Sequence, residues 1–280
     1  MTQLQVLIVA YGRKGIENVA SSLHPRMEGV EYIVSWQCAG ASPDDVPRSL
    51  LERDDFKVLP TPTVGVALNR NLTLDAASAP IVLESDDDVS YTPEMLSNVI
   101  RAFDERPDCD FLAFKYYSKQ NPRKYPLHEC DLRNPPKGYF IGGIEMAFRL
   151  DSIRKAGIRF NELFGIGSEF PSGEEDLFLH DVLRAGLTAR FVPVVIVNHE
   201  SESTCMREAK SPAFIRTKGA IHAIVNPRTW HLRMLTHARR EAAPGLKEKI
   251  NYCRNWLRGV RDLRRIYGRH RTFPQSAKSR

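Results

Sequence analysis

Paired cysteines, repeats and a leading apolar segment are missing from this chain, and each absence removes a class of protein. The five cysteines (Cys38, Cys109, Cys130, Cys205 and Cys253) are odd in number and widely spaced, with no CxxC pair. Neither a disulfide framework nor a zinc knuckle is expected. The apolar run at residues 6–10 has no basic stretch before it and falls far short of the ~20 residues of a membrane-spanning helix. Neither a signal peptide nor a span is predicted there, and the expected location is cytoplasmic. No internal repeat and no low-complexity segment interrupts the sequence. Acidic residues are nearly absent from one end: residues 205–280 hold 19 Lys and Arg against 4 Asp and Glu, which leaves 21 against 30 for residues 1–204. The net charge of +6 thus describes an acidic body with a basic tail. No nucleic-acid partner is expected, because an anionic surface would meet the tail alone.

What is present is a globular composition, 42% hydrophobic and 26% charged, sufficient for one main domain with an appendage. Three short continuous runs, "QVLIVA" (5–10), "EYIVSW" (31–36) and "APIVLE" (79–84), read as parallel strands buried on both faces. Between the first two, Ile16, Val19 and Leu23 recur at helical spacing, and before the third Val66, Leu68, Leu72 and Ala76 do the same. Thr92 suits an N-cap and Pro93 a first helical residue for "PEMLSNVIRAFDER". The alternation predicts a doubly wound, mostly parallel α/β sheet. Its ligands would bind beyond the carboxyl ends of the strands, where "AYGR", "QCAG" and "SDDD" fall. Downstream the sequence predicts a strand over 110–118, a Pro-rich loop over 119–137 and a strand feeding a helix in "GYFIGGIEMAFRLDSIRKAGIRF". After these come a helix with Leu177, Phe178, Val182 and Leu183 on its apolar face, a last strand in "ARFVPVVIVNHESES", and basic helices from Pro212 onward. Trp36 is expected in the core.

Asp86, Asp87 and Asp88 end the third run. Three adjacent carboxylates repel one another and favour either solvent or a compensating cation. An exposed turn would satisfy that, but at a ligand edge carboxylates on a turn can grip Mg2+ or Mn2+ by one or two oxygens and leave its other positions to water and phosphate. A metal–diphosphate site is the expectation. A second acidic cluster, Glu174, Glu175 and Asp176, opens a helix after a Gly-rich loop. Acids there complement the helix dipole, yet two such clusters suit a division of labour, one set holding a cation and the other removing a proton. His199 ends the last strand, and imidazole joins carboxylates on Mn2+-type sites. Ala10, Tyr11, Arg13 and Gln37 share the same strand edge, with Tyr11 and Arg13 candidates for a nucleobase and phosphates. Gly142 and Gly143 permit close backbone approach to a ligand or mark a bulge.

Over residues 4–204 the chain resembles the family-2 glycosyltransferases of the GT-A fold, which move a sugar from a nucleotide diphosphate to an acceptor hydroxyl with inversion. The resemblance rests on "VLIVAYGR", "GVALNRN", "ESDDDV" as a DXD-type metal motif, "GGIEMAFR", and "SGEEDLFLHDVLRAG" as an ED-type catalytic motif. It implies that Asp86 and Asp87 face the nucleotide, that Asp88 and His199 take a divalent cation (Mn2+ or Mg2+), and that Arg70 lies near the donor. It also implies that Glu175, where the motif commonly has Asp, is the base, with Glu174 and Asp176 beside it. A nucleotide-sugar donor, expected to be a UDP-sugar, a sugar or lipid-linked acceptor, and a role in polysaccharide or glycan assembly follow from the same likeness.

Two other readings compete. A nucleotidyltransferase of similar fold would carry a Gly-rich basic phosphate-binding signature after the first strand, of which "AYGRKG" is a poor version. A non-catalytic scaffold recruited to a membrane would not need two intact acidic clusters. The expected division is a catalytic domain over 1–204 and a helical extension over 205–280. In that extension Ile250, Cys253, Leu257, Val260, Leu263 and Tyr267 recur at spacings of three and four, with Arg254, Arg258, Arg261, Arg265 and Arg269 between them. Such a helix packs on the body, joins copies into an oligomer, or docks on an anionic membrane at the inner face of the cell.

Overall fold

A computed structural model describes residues 2–200, 208 and 210–268; Cys205 and Arg269 lie outside the described residues. The strands are β1 (Leu4–Tyr11), β2 (Val30–Gln37), β3 (Phe56–Thr61), β4 (Ile81–Asp86), β5 (Phe111–Tyr117), β6 (Cys130–Asp131), β7 (Met146–Arg149) and β8 (Ala189–Asn198). They form one sheet in the order β3-β2-β1-β4-β7-β5-β8-β6. Pairing is parallel for β1 with β2 and β4, β2 with β3, and β5 with β8. Strand β7 runs antiparallel between β4 and β5, and β6 antiparallel along β8.

The continuous apolar runs divide between two cores, as strands covered on both faces require. In β1, Leu4, Val6, Ile8 and Ala10 enter one core and Leu7 the other; in β2, Tyr32, Val34 and Trp36 part from Ile33 in the same way. Trp36 is fully buried, and its indole N–H donates to the Gly12 carbonyl at 2.8 Å. Strand β3, "FKVLPT", is absent from the sequence reading because it contains Pro60. The proline is tolerated because β3 is the edge strand.

The helices are α1 (Gly12–Ser21), α2 (Arg48–Leu51), α3 (Val66–Ala76), α4 (Pro93–Asp104), α5 (Leu150–Lys155), α6 (Glu174–Arg184), α7 (Pro212–Val225), α8 (Trp230–Glu241) and α9 (Leu246–Tyr267). Helix α4 starts as expected, with the Thr92 hydroxyl accepting from the Met95 N–H at 3.3 Å. Three expected faces are corrected. Helix α1 buries Ile16 and Val19 but ends before Leu23, which is exposed. Helix α3 does not bury Val66, Leu68, Leu72 and Ala76; it turns Ala67, Asn69, Arg70, Asn71, Thr73 and Leu74 inward. The polar members of that face find partners: Asn71 donates to the Phe160 carbonyl at 3.0 Å and accepts from the Phe160 N–H at 2.9 Å, and Asn69 donates to the Ala10 carbonyl at 3.3 Å. Side-chain hydrogen bonds outweigh hydrophobicity in setting that helix's rotation.

The third correction is in α9. Its buried residues are Tyr252, Trp256, Gly259, Val260 and Leu263, whereas Ile250 and Leu257 are exposed. The reason is a crossing with α7 at two glycines. A Cβ on Gly219 would lie 2.1 Å from the Trp256 carbonyl oxygen, and one on Gly259 would lie 1.8 Å from that of Arg216, so backbone meets backbone there. Phe164, Phe170 and Leu177 share this core with Ile215, Trp256 and Leu263, which seats the C-terminal helices beside the start of α6. Cys38, Cys109, Cys130 and Cys253 are free thiols.

Candidate active site

The three aspartates leave β4 in three directions. Successive side chains of a strand point to opposite faces, so Glu84 and Asp86 share one face and meet the same cation. Arg70 of α3 places Nη1 2.9 Å from Glu84 Oε2 and Nη2 2.8 Å from Asp86 Oδ1. Asp87 points the other way, accepting from the Tyr11 N–H at the end of β1 and from the Asn18 amide of α1. Asp88 turns toward β8, with Oδ1 3.5 Å from His199 Nε2. The answer to three adjacent carboxylates is thus a guanidinium, a helix start and an imidazole.

Burial sets the electrostatics. Arg70 and Glu84 are buried; burial opposes the Arg70 charge, but Asp86, Glu84, Glu174 and Glu175 outweigh it and hold the guanidinium protonated more firmly than usual. Burial pushes Glu84 up to about 7 although Arg70 opposes it. Asp87 is pushed up to about 6 by burial and by its neighbours Asp86 and Asp88. Burial lowers His199, but the Asp88 carboxylate more than compensates and the imidazole is raised overall.

The second acidic cluster reaches the same guanidinium from the start of α6. Glu174 is buried; burial and the Glu175 charge drive it well above the ordinary carboxylate range, against the pull of Arg70, and the two glutamates share a hydrogen bond. Glu175 is half-buried, and its Oε2 is enclosed without a hydrogen-bond partner. An enclosed carboxylate oxygen with an open lone pair is suited to accept a proton. Asp176, next along the helix, is exposed.

The other expected residues scatter. Tyr11 is exposed at the tip of β1 and Ala10 is buried behind it. Arg13 makes an exposed pair with Asp45 at 2.7 Å. Gln37 is buried, and its amide donates to the Thr63 hydroxyl at 3.2 Å and the Gly65 carbonyl at 3.0 Å; it fastens the turn into α3.

Sequence reasoning missed a buried tetrad. Glu145, fully buried, accepts from Arg123 Nη1 at 2.7 and 2.8 Å, from the Tyr125 hydroxyl, and from the Gly142 N–H at 2.7 Å. The Arg123 guanidinium lies 3.9 Å from the centre of the Phe140 ring, which pins the Pro-rich loop at one point. Gly143 joins the tetrad to the first cluster, since a Cβ there would fall 2.4 Å from Arg70 Nη2. A lone Glu inside "IVLESD" and another inside "GGIEMAFR" were the available signals: a buried carboxylate needs a cation.

Among the described residues, Asp88 and His199 are suited to a divalent cation. They offer a carboxylate oxygen and an imidazole nitrogen, a set that Mn2+ accepts, with its remaining positions open to diphosphate and water. Among the described residues no group of three or more His, Cys, Asp or Glu is arranged to hold a metal, so the chain supplies a pair rather than a cage.

The family model for "Glycosyl transferase family 2" matches residues 7–164, more than half of the chain. The chain belongs to glycosyl transferase family 2. The match spans β1 through the turn after α5 and includes Arg70 and the three aspartates; Glu174, Glu175 and His199 lie beyond it. The fold is shared with S. aureus TarS 1-349 in complex with UDP-GlcNAc, at 19% identity and a TM-score of 0.63 over 92% of this chain and 82% of that one. It is shared also with the mannosyltransferase PcManGT from Pyrobaculum calidifontis in complex with GDP-Man and Mn2+, at 14% identity and a TM-score of 0.53 over 93% and 72%. Against a longer TarS chain, the match spans 42% of its length. At these identities the likeness is one of fold. No curated protein matches the chain in sequence. The family-2 assignment and the mixed α/β sheet agree with the resemblance drawn from the motifs.

Proposed function

We propose that this family-2 chain is an inverting transferase that moves a sugar from a nucleotide diphosphate, a UDP-sugar, to an acceptor hydroxyl by direct displacement. The observation that carries the reading is the convergence of two separate acidic elements, the end of β4 and the start of α6, on the buried Arg70 guanidinium. Arg70 fixes Asp86 at the donor edge while Glu84 and Glu174 fill the space behind it, so the site is organised before substrate arrives. Glu175 takes the proton of the acceptor hydroxyl as that oxygen attacks the anomeric carbon from the face opposite the diphosphate. The bond from the anomeric carbon to the diphosphate oxygen breaks, and its electron pair leaves with the diphosphate. Asp88 and His199 would hold the cation, which when bound neutralises charge on the departing diphosphate. In this reading Tyr11, exposed at the end of β1, meets the nucleobase, and Asp87 steadies the backbone that carries it. The acceptor is a sugar or a lipid-linked carrier, met at an anionic membrane during glycan assembly, and 1–204 is the catalytic unit. The family match favours this reading over nucleotidyl transfer and over a non-catalytic scaffold.

The test is calorimetric titration of UDP and GDP with and without Mn2+. Asp88→Asn, which keeps the shape and removes the charge, is expected to abolish the Mn2+-dependent part of the affinity in a folded protein. Affinity independent of Mn2+ in both proteins would remove the metal from the account.

A further inference from the structure

One side of the C-terminal bundle is left open. Leu246, Ile250 and Leu257 of α9 are 76%, 49% and 45% exposed, and Leu235 of α8 is 59% exposed. With Trp230 they line an open groove of about 1050 Å³ between the two helices. Six lining side chains are cationic (Arg239, Lys249, Arg254, Arg258, Arg261 and Arg264) and none is acidic. Of the nearby carboxylates, Glu248 does not line the groove, and Glu241 and Asp262 are engaged elsewhere. Glu241 is held by Lys218, His237 and Tyr252 at 2.5, 2.7 and 2.9 Å, and Asp262 by Arg216 at 2.8 Å, with Arg261 only at 3.6 Å. Among the described residues no helix is long and apolar enough to cross a membrane.

We propose that this groove is a docking surface for an anionic bilayer, with the four leucine and isoleucine side chains entering the boundary between headgroups and acyl chains and the cations meeting lipid phosphates. Charge selects the occupant. A second copy seated symmetrically on the same face would oppose six cations with six cations. Residues 269–280, with four Lys and Arg and no acid, have the wrong sign to fill it. A bilayer supplies both the missing anions and an apolar phase. The purpose of docking, to bring a lipid-linked acceptor to the site, rests on the transferase reading; the surface stands on its own residues.

The experiment uses the full chain with vesicles of phosphatidylglycerol and phosphatidylcholine, and of phosphatidylcholine alone, carrying bromine-labelled acyl chains. Trp36 and Trp256 are fully buried, so quenching reads Trp230 in the groove. Flotation and quenching are expected with the anionic vesicles only, with release as salt rises. Arg254→Glu with Arg258→Glu is expected to weaken partitioning by about 30-fold or more, and Leu246→Ser with Ile250→Ser to remove the quenching. Thermal stabilisation by UDP-sugars should persist in both variants, so the membrane reading can fail while the transferase reading stands, and the reverse. Equal binding to both vesicle types, binding to neither, or an oligomer in light scattering that dissociates in the Leu246/Ile250 variant would overturn the proposal.

Discussion

Arg70 is the residue on which the site turns, and its surroundings leave it no freedom. It bridges Glu84 and Asp86 at 2.9 and 2.8 Å while Gly143 closes against its guanidinium. Gly143→Ala is expected to displace Nη2 and lower turnover by about 10²-fold, the scale of a sub-ångström to ångström misplacement, with the far-UV spectrum unchanged. Arg70→Lys should behave alike, because an ammonium cannot span two carboxylates in a fixed fork; full activity in either variant would mean that the bridge is only structural. The triple aspartate and the Glu174–Glu175 pair were legible in the sequence because clustered acids at strand and helix ends are conspicuous. Glu84 and Glu145 were legible only as lone acids inside apolar runs, which call for a buried cation, while nothing local says that Arg70 and Arg123 are the cations that meet them.

Elements were legible as elements more than as faces. Short continuous runs marked β1, β2 and β4, and the Thr92–Pro93 pair marked the start of α4, because period and capping are local. The inward face of α3 was misread because hydrogen bonds from Asn69, Arg70 and Asn71 decide it, and that of α9 because the crossing at Gly219 and Gly259 decides it. The bundle also has a pH signature. His222 stacks on Trp256 with ring centres 5.0 Å apart, and burial, then the charges of His237, Arg233 and Lys218, lower it from 6.5 to about 4. The unfolded chain takes up a proton below 6.5 that the folded bundle refuses until about 4, so stability is expected to fall as pH drops across that window. His24, lowered to about 4 chiefly by burial, adds a slope of the same sign. Urea midpoints at pH 7 and pH 4.5 should differ less in His222→Gln than in the parent; an unchanged difference would place the proton uptake elsewhere.

At the scale of the whole molecule, an acidic sheet domain presents two carboxylate clusters at one edge, and a basic bundle sits beside the second of them. The motifs in the sequence foretold the family; the single core shared by Phe164, Leu177 and Trp256 was invisible, because it joins residues from distant parts of the chain. The central claim is that the edge transfers sugar with Glu175 as base. Its most direct measurement is release of nucleoside diphosphate from a panel of nucleotide sugars, with Mn2+ present, by the parent chain and by Glu175→Gln. Turnover is predicted for the parent on at least one donor and a fall of about 10²- to 10⁴-fold in the variant, the usual scale for a lost general base, with donor affinity retained. Undiminished turnover in Glu175→Gln, or a folded parent chain that neither binds nor consumes any donor, would contradict it.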